Sequence, residues 1–391
     1  MKTITTTGDL AAFCSECASQ PYVTVDTEFL RERTYYAKLC LVQIARPGEG
    51  DETAVLVDTL TDGLDLAPLY DLFRNRNVTK VFHAARQDLE IFFVDGGVIP
   101  TPFFDTQVAA MVCGFGDQVG YETLVRKIAR QSLDKSSRFT DWSRRPLSEK
   151  QKAYALADVT HLREIYEFLA AKLEKSGRTA WVEEELAVLT NPETYVTEPR
   201  EAWLRLKTRT NSGRFLAVLR ELAQFREELA RSRDVPRNRI LKDDALMEIA
   251  SLRPKTMEEL GKARLVLREA RKNPIAKGLL EAVARGEACP REELPVPPDT
   301  RSRRGNANGL SDLLRVLLKA KSEEADVAQK LIASASELER LATEDAPDVP
   351  ALKGWRREVF GRDAQRLKAG EIALSADAGT VRIIELPRAD A

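Results

Sequence analysis

Apolar and polar side chains alternate through YVTVDTEFL, residues 22–30, a period that predicts a β-strand. Val23, Val25, Thr27 and Phe29 then share one face, and Tyr22, Thr24, Asp26 and Glu28 share the other. Further short β-rich runs, KLCLVQIA, AVLVDT and KVFH, follow before residue 110. Helical patterns such as DLAAFCSECASQ are interleaved with them, so this region reads as α/β. The connection RERTYYA is short enough to make a hairpin of the first two runs. From about residue 107 onward the chain reads as helix after helix.

Two stretches interrupt the periodicity and read as linkers: NPETYVTEP (191–199), and EACPREELPVPPDTRSRRGNANG (287–309) with four prolines. They divide the chain into blocks at 1–190, 200–286 and 310–391. In the second block Phe215, Leu216, Leu219, Leu222, Phe225 and Leu229 recur at helical spacing. The third opens similarly with LSDLLRVLLKAKSEEADVAQKLI, which leaves open a diverged copy of one helical module. Near the C-terminus, VRIIEL is either a short strand or a tail.

Composition narrows the class. Of 391 residues, 43% are hydrophobic and 31% charged, which excludes a globally disordered chain. With 60 Lys and Arg against 61 Asp and Glu, a uniformly basic nucleic-acid binder is also excluded. The charge is uneven, however: net −7 over 1–110, +5 over 121–152 and +7 over 200–242. Solvated helix faces are the plain reading of such runs. No apolar run approaches the ~20 residues of a membrane span, and MKTITTTGDL carries no secretory pattern. Five cysteines in this length make no disulfide framework, so a cytoplasmic protein is expected.

The candidate chemistry lies in carboxylates. Asp26 and Glu28 project from one side of a strand, where they repel each other unless solvated, protonated or bridged by a cation. Asp88 falls about one turn into the helix that starts in HAARQDLEIFF, just after a strand. By itself it is an acid favoured by a helix N-terminus. Ser148 and Gln151 form a capping box for a helix running through QKAYALADVTHLREIYEFLAAKL. Tyr154 and Asp158, four residues apart, sit on one flank of that helix. They are either a surface pair or parts of one site.

D-x-E on a strand, D after F-H-A, and Y-x-x-x-D on a later helix form an ordered set. This set resembles the DEDD superfamily of 3′→5′ exonucleases in its tyrosine subclass, and most closely its ribonuclease D family. TVDTEFLRERTYYAKLCLVQIA, VFHAARQDLEIF, FFDTQVAAM, VGYETLV and SRFTDWSRRPLSEKQKAYALADVTHL carry the likeness over about residues 3–185. The histidine subclass has a His five residues before the last Asp; here that residue is Ala153. FLAVLRELAQFREELARSRDVPRNRILKDDALMEIASLRPKTMEEL resembles an HRDC domain, and the third block resembles a more divergent one.

The resemblance implies an α/β RNase H-like exonuclease domain, a mixed sheet with flanking helices, followed by two all-α HRDC-type domains. It implies Asp26, Glu28, Asp88 and Asp158 as ligands of two divalent cations, Mg²⁺ or Mn²⁺, with Tyr154 orienting the attacking water. It also implies a 3′→5′ exoribonuclease that releases nucleoside 5′-monophosphates and trims the 3′ ends of tRNA precursors and other small structured RNAs. A DNA 3′→5′ exonuclease, or an HRDC-type nucleic-acid binder with a dead nuclease core, are the alternatives. His83 is a candidate contact for the terminal nucleotide, or a buried structural group. Trp142, amid Arg138, Arg144 and Arg145, is either an RNA-stacking aromatic or a cap on the core. Asp105 reads as a helix N-cap. In the second block Arg231, Arg233, Arg237, Arg239 and Lys242 are expected to meet backbone phosphates.

Overall fold

A computed structural model describes residues 1–48, 50–134, 140–208, 210, 212–266, 274–296 and 309–387. Arg138 and residues 297–308 of the second linker lie outside the described residues. Among the described residues, six strands make one mixed sheet: β1 (Lys2–Ile4), β2 (Tyr22–Leu30), β3 (Lys38–Ala45), β4 (Ala54–Val57), β5 (Thr79–Phe82) and β6 (Phe103–Asp105). Their spatial order is β1-β4-β3-β2-β5-β6. Strand β3 runs antiparallel to both neighbours, joined to β2 by the expected hairpin, and the other pairings are parallel.

Period-two alternation decides which helices cover which face. Val23, Val25, Val42, Ile44, Val55 and Val57 pack under α1 (Thr7–Cys17), α2 (Ala67–Arg74) and α3 (Arg86–Gly96). The chain then makes α4 (Thr106–Val112) and α5 (Tyr121–Leu124) before the long α6 (Glu149–Ser176) and α7 (Thr179–Thr190). Leu41, Ala45 and Leu56, on the opposite face, meet Ala155, Leu156 and Val159 of α6. The predicted capping box starts α6: Ser148 Oγ accepts from Gln151 N, and the Gln151 side chain accepts from Ser148 N. Gly177, in the left-handed region at φ 68°, ends it.

A second core lies among α8 (Gly213–Ser232), α9 (Arg237–Ile240), α10 (Asp243–Leu252), α11 (Met257–Gly261) and α12 (Ile275–Ala288). Pro274 does not break this bundle; it sits at the N-cap of α12, where a missing N–H costs nothing. A third core joins α13 (Gly309–Ala325), α14 (Gln329–Ile332), α15 (Ala335–Thr343), α16 (Gly354–Arg356) and α17 (Arg362–Lys368). VRIIEL proves to be strand: β7 (Ile372–Asp377) and β8 (Thr380–Glu385) close the chain as an antiparallel hairpin.

Both bundles dock on the α/β body. The Tyr35 hydroxyl donates to Glu227 on α8, and Tyr35 N donates to Asp234 at 3.0 Å. On another side, Trp181 of α7 stacks on Trp355 with ring centroids 4.5 Å apart and planes 11° apart. Arg356 pairs with Glu184 at 2.8 Å and also with Glu185.

Because α6 carries two of the candidate residues, its cap has a measurable consequence. Ser148→Ala should lower unfolding stability by ~1 kcal/mol, the usual worth of an N-cap hydroxyl. A shifted urea midpoint at unchanged m value is the expected readout; an unshifted midpoint would show the cap to be dispensable.

Candidate active site

Strand β2 pairs with β5 only over Tyr22–Thr24, while its pairing with β3 continues to Leu30. Beyond Thr24 one edge of β2 is therefore free of a strand, and Asp26 and Glu28 stand on that stretch. Their face is the one under α6. The Thr24 hydroxyl donates to Val159 O at 2.7 Å, and the half-buried Tyr121 hydroxyl donates to Ala157 O at 3.0 Å. These two bonds hold the α6 backbone on either side of Asp158. One carboxylate oxygen each from Asp26, Glu28 and Asp158 lie within 4.8 Å of one another.

Asp88 reaches the site differently. It is buried on the first turn of α3, and one of its oxygens accepts from the Thr27 hydroxyl. Thr27 is the residue between the two acids of β2, so it points to the α3 side of the sheet. Asp26 feels the charge of Asp158, and Asp88 feels the charge of Asp26. Asp88 itself is not part of the tight oxygen triplet.

Burial sets the electrostatics. It pushes Asp26 well above the usual carboxylate range, and the neighbouring Asp158 adds to the shift. Burial followed by the Asp26 charge does the same to Asp88. Glu28 is pushed up to about 9 by burial and then by Asp26, and Asp158 to about 7 by burial. What lowers Asp26 is a Thr27 backbone hydrogen bond, and what lowers Asp88 most is the Thr27 side chain. Neither is a cation, so the cluster suits an external one. Carboxylate oxygens are hard donors fit for a divalent metal such as Mg²⁺ or Mn²⁺, and unsuited to zinc selection.

The cluster opens on a cavity of about 520 Å³, lined also by Tyr154, His83, Gln87, Tyr121, Glu122 and Leu133. Tyr154 therefore shares the space of the carboxylates, one helical turn before Asp158. His83 Nδ1 lies 3.0 Å from Thr106 Oγ1, and burial pulls its pKa down, so the ring is neutral.

Two candidates fall away. Trp142 is 2% exposed and packs in the core with Cys40, Leu41 and Leu147, so it offers no face for base stacking. Arg145 is bound to Asp58 through Nε and Nη2, both at 2.7 Å, and donates to the carbonyls of Trp142, Arg144 and Cys40. Its guanidinium ties the approach to α6 onto β3 and is not available to phosphate. Arg144 has an 83% exposed side chain, 3.4 Å from Asp141, away from the cavity lining.

The structure adds groups that spacing did not reveal. Asp105 is the expected N-cap of α4, yet it also accepts from Ala84 N at 3.0 Å and Ala85 N at 2.9 Å. It thus fixes the turn between His83 and α3, where Ala84 takes a left-handed φ of 56°. Thr27, Tyr121 and Gln87 carried no separable signal; Thr27 in D-T-E was readable only as an inward-facing strand position.

A family model described as 3′-5′ exonuclease matches residues 1–174, and the HRDC domain model matches residues 215–283. Ribonuclease D of Jannaschia sp. (strain CCS1) is 64% identical over 384 residues, 98% of this chain and 99% of the relative. The chain belongs to the ribonuclease D family of exoribonucleases. Ribonuclease D of Granulibacter bethesdensis is 52% identical, over 97% of this chain and 96% of that one. Escherichia coli RNase D, described as an exoribonuclease involved in structured RNA processing, superposes with a TM-score of 0.81. That match has 30% identity and covers 94% of this chain and 98% of the other. The family's substrate is RNA and its sheet is the mixed one found here. Among the described residues, no helix is long and apolar enough to cross a membrane.

The raised carboxylates make a pH prediction. In the metal-free protein the folded state binds protons more tightly than the unfolded chain does. Stability should therefore fall as pH rises from the unfolded values, near 4, through about 7 for Asp158 and about 9 for Glu28. Mg²⁺ requires the ionised forms, so its stabilising effect should grow over the same range. Thermal melts from pH 5 to pH 9, with EDTA and with Mg²⁺, check both slopes; a Mg²⁺ shift that shrinks with pH would contradict the reading.

Proposed function

We propose that Asp26, Glu28, Asp88 and Asp158 hold two Mg²⁺ or Mn²⁺ ions and that Tyr154 orients the attacking water. The observation that carries this is the triplet of half-buried carboxylates, with oxygens within 4.8 Å of one another, sharing one cavity with Tyr154. Ions bound there would lower the pKa of a water and stabilise developing charge on the phosphate and on the leaving 3′-oxygen. The chain's own residues do the rest. Asp26 belongs to the oxygen triplet with Glu28 and Asp158 and also feels Asp88, through its charge. Thr27 fixes Asp88 in the orientation that faces it. The Tyr154 phenol aligns a water by hydrogen bonding rather than by accepting its proton. Water oxygen bonds to phosphorus and the P–O3′ bond breaks, leaving a nucleoside 5′-monophosphate and an RNA shortened by one residue. His83, neutral and on the cavity wall, contacts the terminal nucleotide.

The same reading divides the chain into an exonuclease domain (1–190), an HRDC domain (200–286) and a divergent HRDC-like domain (310–391). The third block repeats the order of the second, a long helix (α13), a four-residue helix (α14) and a further helix (α15), as in α8, α9 and α10. The substrate is the 3′ end of tRNA precursors and other small structured RNAs, in the cytoplasm. Support for an RNA path comes from a space of about 820 Å³ between the α/β body and the HRDC helices. Arg31, Arg86, Arg205, Arg231 and Arg237 line it, and Gln87 lines both it and the carboxylate cavity. Of the basic HRDC residues expected to meet phosphate, Arg231 is partly committed, donating to Thr197 O at 2.7 Å.

Asp26→Asn should abolish release of mononucleotides from a 5′-labelled RNA with Mg²⁺ while leaving RNA affinity intact. Tyr154→Phe should slow single-turnover cleavage by ~10²-fold with little change in metal affinity. Near wild-type rates for either variant would remove that residue from the site. Running the same assay on a DNA oligonucleotide of identical sequence tests the DNA alternative.

Exchanging Arg86 and Arg205 together for Ala should weaken binding of a hairpin RNA with a 3′ tail. Each lost phosphate contact on a single strand flattens the log–log salt slope by ~0.7, so the double variant should lose ~1.4. An unchanged slope would place the RNA elsewhere.

A further inference from the structure

The KLCLVQIA strand holds a side chain that the site described so far does not use. Gln43 is fully buried in the middle of β3. Neither its Nε2 nor its Oε1 has a hydrogen-bond partner. A core position surrounded by aliphatic residues normally takes an aliphatic side chain, because an unpaired amide is costly to bury. Cross-strand register explains what the amide is near. Gln43 stands directly opposite Asp26 on β2 and opposite Leu56 on β4. Paired residues of an antiparallel ladder project to the same face, with Cβ atoms ~5 Å apart. That face is the one under α6, where Leu41, Ala45 and Leu56 meet Ala155, Leu156 and Val159.

The polar groups facing this spot are few. Thr24 is already engaged, its hydroxyl on Val159 O at 2.7 Å. Asp26 and Glu28 remain on β2, and Tyr154 and Asp158 approach from α6. Of these, Asp26 is the direct cross-strand neighbour. A carboxylate that holds a cation is ionised and only accepts hydrogen bonds, whereas an amide nitrogen offers two donors.

We propose that Gln43 is a positioning residue for the metal site: with divalent ions held, its Nε2 donates to Asp26 and fixes the orientation of that carboxylate. The idea rests on Asp26 being a metal ligand. Groups that orient ligands from behind typically matter about 10–100-fold in metal affinity. The unpaired amide is then a feature kept for the loaded state.

The test is calorimetric titration of full-length protein with Mn²⁺, together with thermal melts in EDTA. Gln43→Leu removes two buried polar atoms that have no partner, so the metal-free melting temperature should hold or rise. Mn²⁺ affinity should fall by about 10–100-fold, and the lost cleavage rate should return in part at high Mg²⁺. Gln43→Met, equal in length and without a donor, should behave alike and serves if the branched side chain does not fit. Unchanged Mn²⁺ affinity in a folded variant overturns the proposal, whether or not the melting temperature moves. Asp26→Asn, titrated in parallel, separates the two ideas. If it loses Mn²⁺ while the Gln43 variants keep it, only the role of Gln43 fails; if it keeps Mn²⁺, the metal reading itself fails.

Discussion

Mutual repulsion among buried carboxylates is the constraint around which this molecule is organised. Asp26, Glu28, Asp88 and Asp158 are brought together by a strand and two helices, each held by contacts that leave these four acids unneutralised. Thr24 binds the α6 backbone, Thr27 binds Asp88, and Arg145 clamps the segment before α6 through Asp58. The apolar packing of Ala155, Leu156 and Val159 on the sheet supplies the free energy that offsets the repulsion. Metal affinity is the other side of the same energy. A cluster that is unfavourable by itself gains most when a doubly charged ion enters it, which is why the scaffold around it has to be stiff.

Much of this was legible in the chain, for identifiable reasons. Strand alternation has a period of two with no slack, so Asp26 and Glu28 had to share a face once β2 was recognised. The capping box fixed where α6 begins, and from there Tyr154 and Asp158 follow by helical spacing. Asp105 was readable as a cap because Asp before a helical run is a local signal. Its second task, holding Ala84 and Ala85, was not, because those partners arrive from another strand. Trp142 and Arg145 show the limit. An aromatic among arginines has the composition of an RNA surface, but Asp58, 87 residues upstream, claims the guanidinium, and the indole follows it into the core. No local pattern contains that pairing. The C-terminal hairpin was half visible, since VRIIEL alternates weakly and its partner β7 hardly at all.

The two helical bundles meet the α/β body through different chemistry. Tyr35 reaches into the HRDC helices with a hydroxyl that lands on Glu227, which is fully buried. The later bundle is joined by stacked indoles, Trp181 on Trp355, with Arg178 and Arg356 over the rings at 4.9 and 5.0 Å. The first junction borders the arginine-lined space that shares Gln87 with the carboxylate cavity; the second lies on α7, whose residues do not line that cavity. Changes in the first junction therefore reach that space directly, and changes in the second only through the fold.

Asp26 and Asp158 are separated by 132 positions of chain, and α6 is the last of the elements that make the proposed site. While the polypeptide emerges from the ribosome, the strands and the first three helices can collapse on one another well before α6 exists. Such a nascent intermediate has three of the acids but not the fourth, nor the tyrosine. On the proposed assignment the nuclease is thus unarmed until α6 closes over the sheet. On that assignment, hydrolytic capacity waits until the sheet and α6, residues 1–176, have left the ribosome.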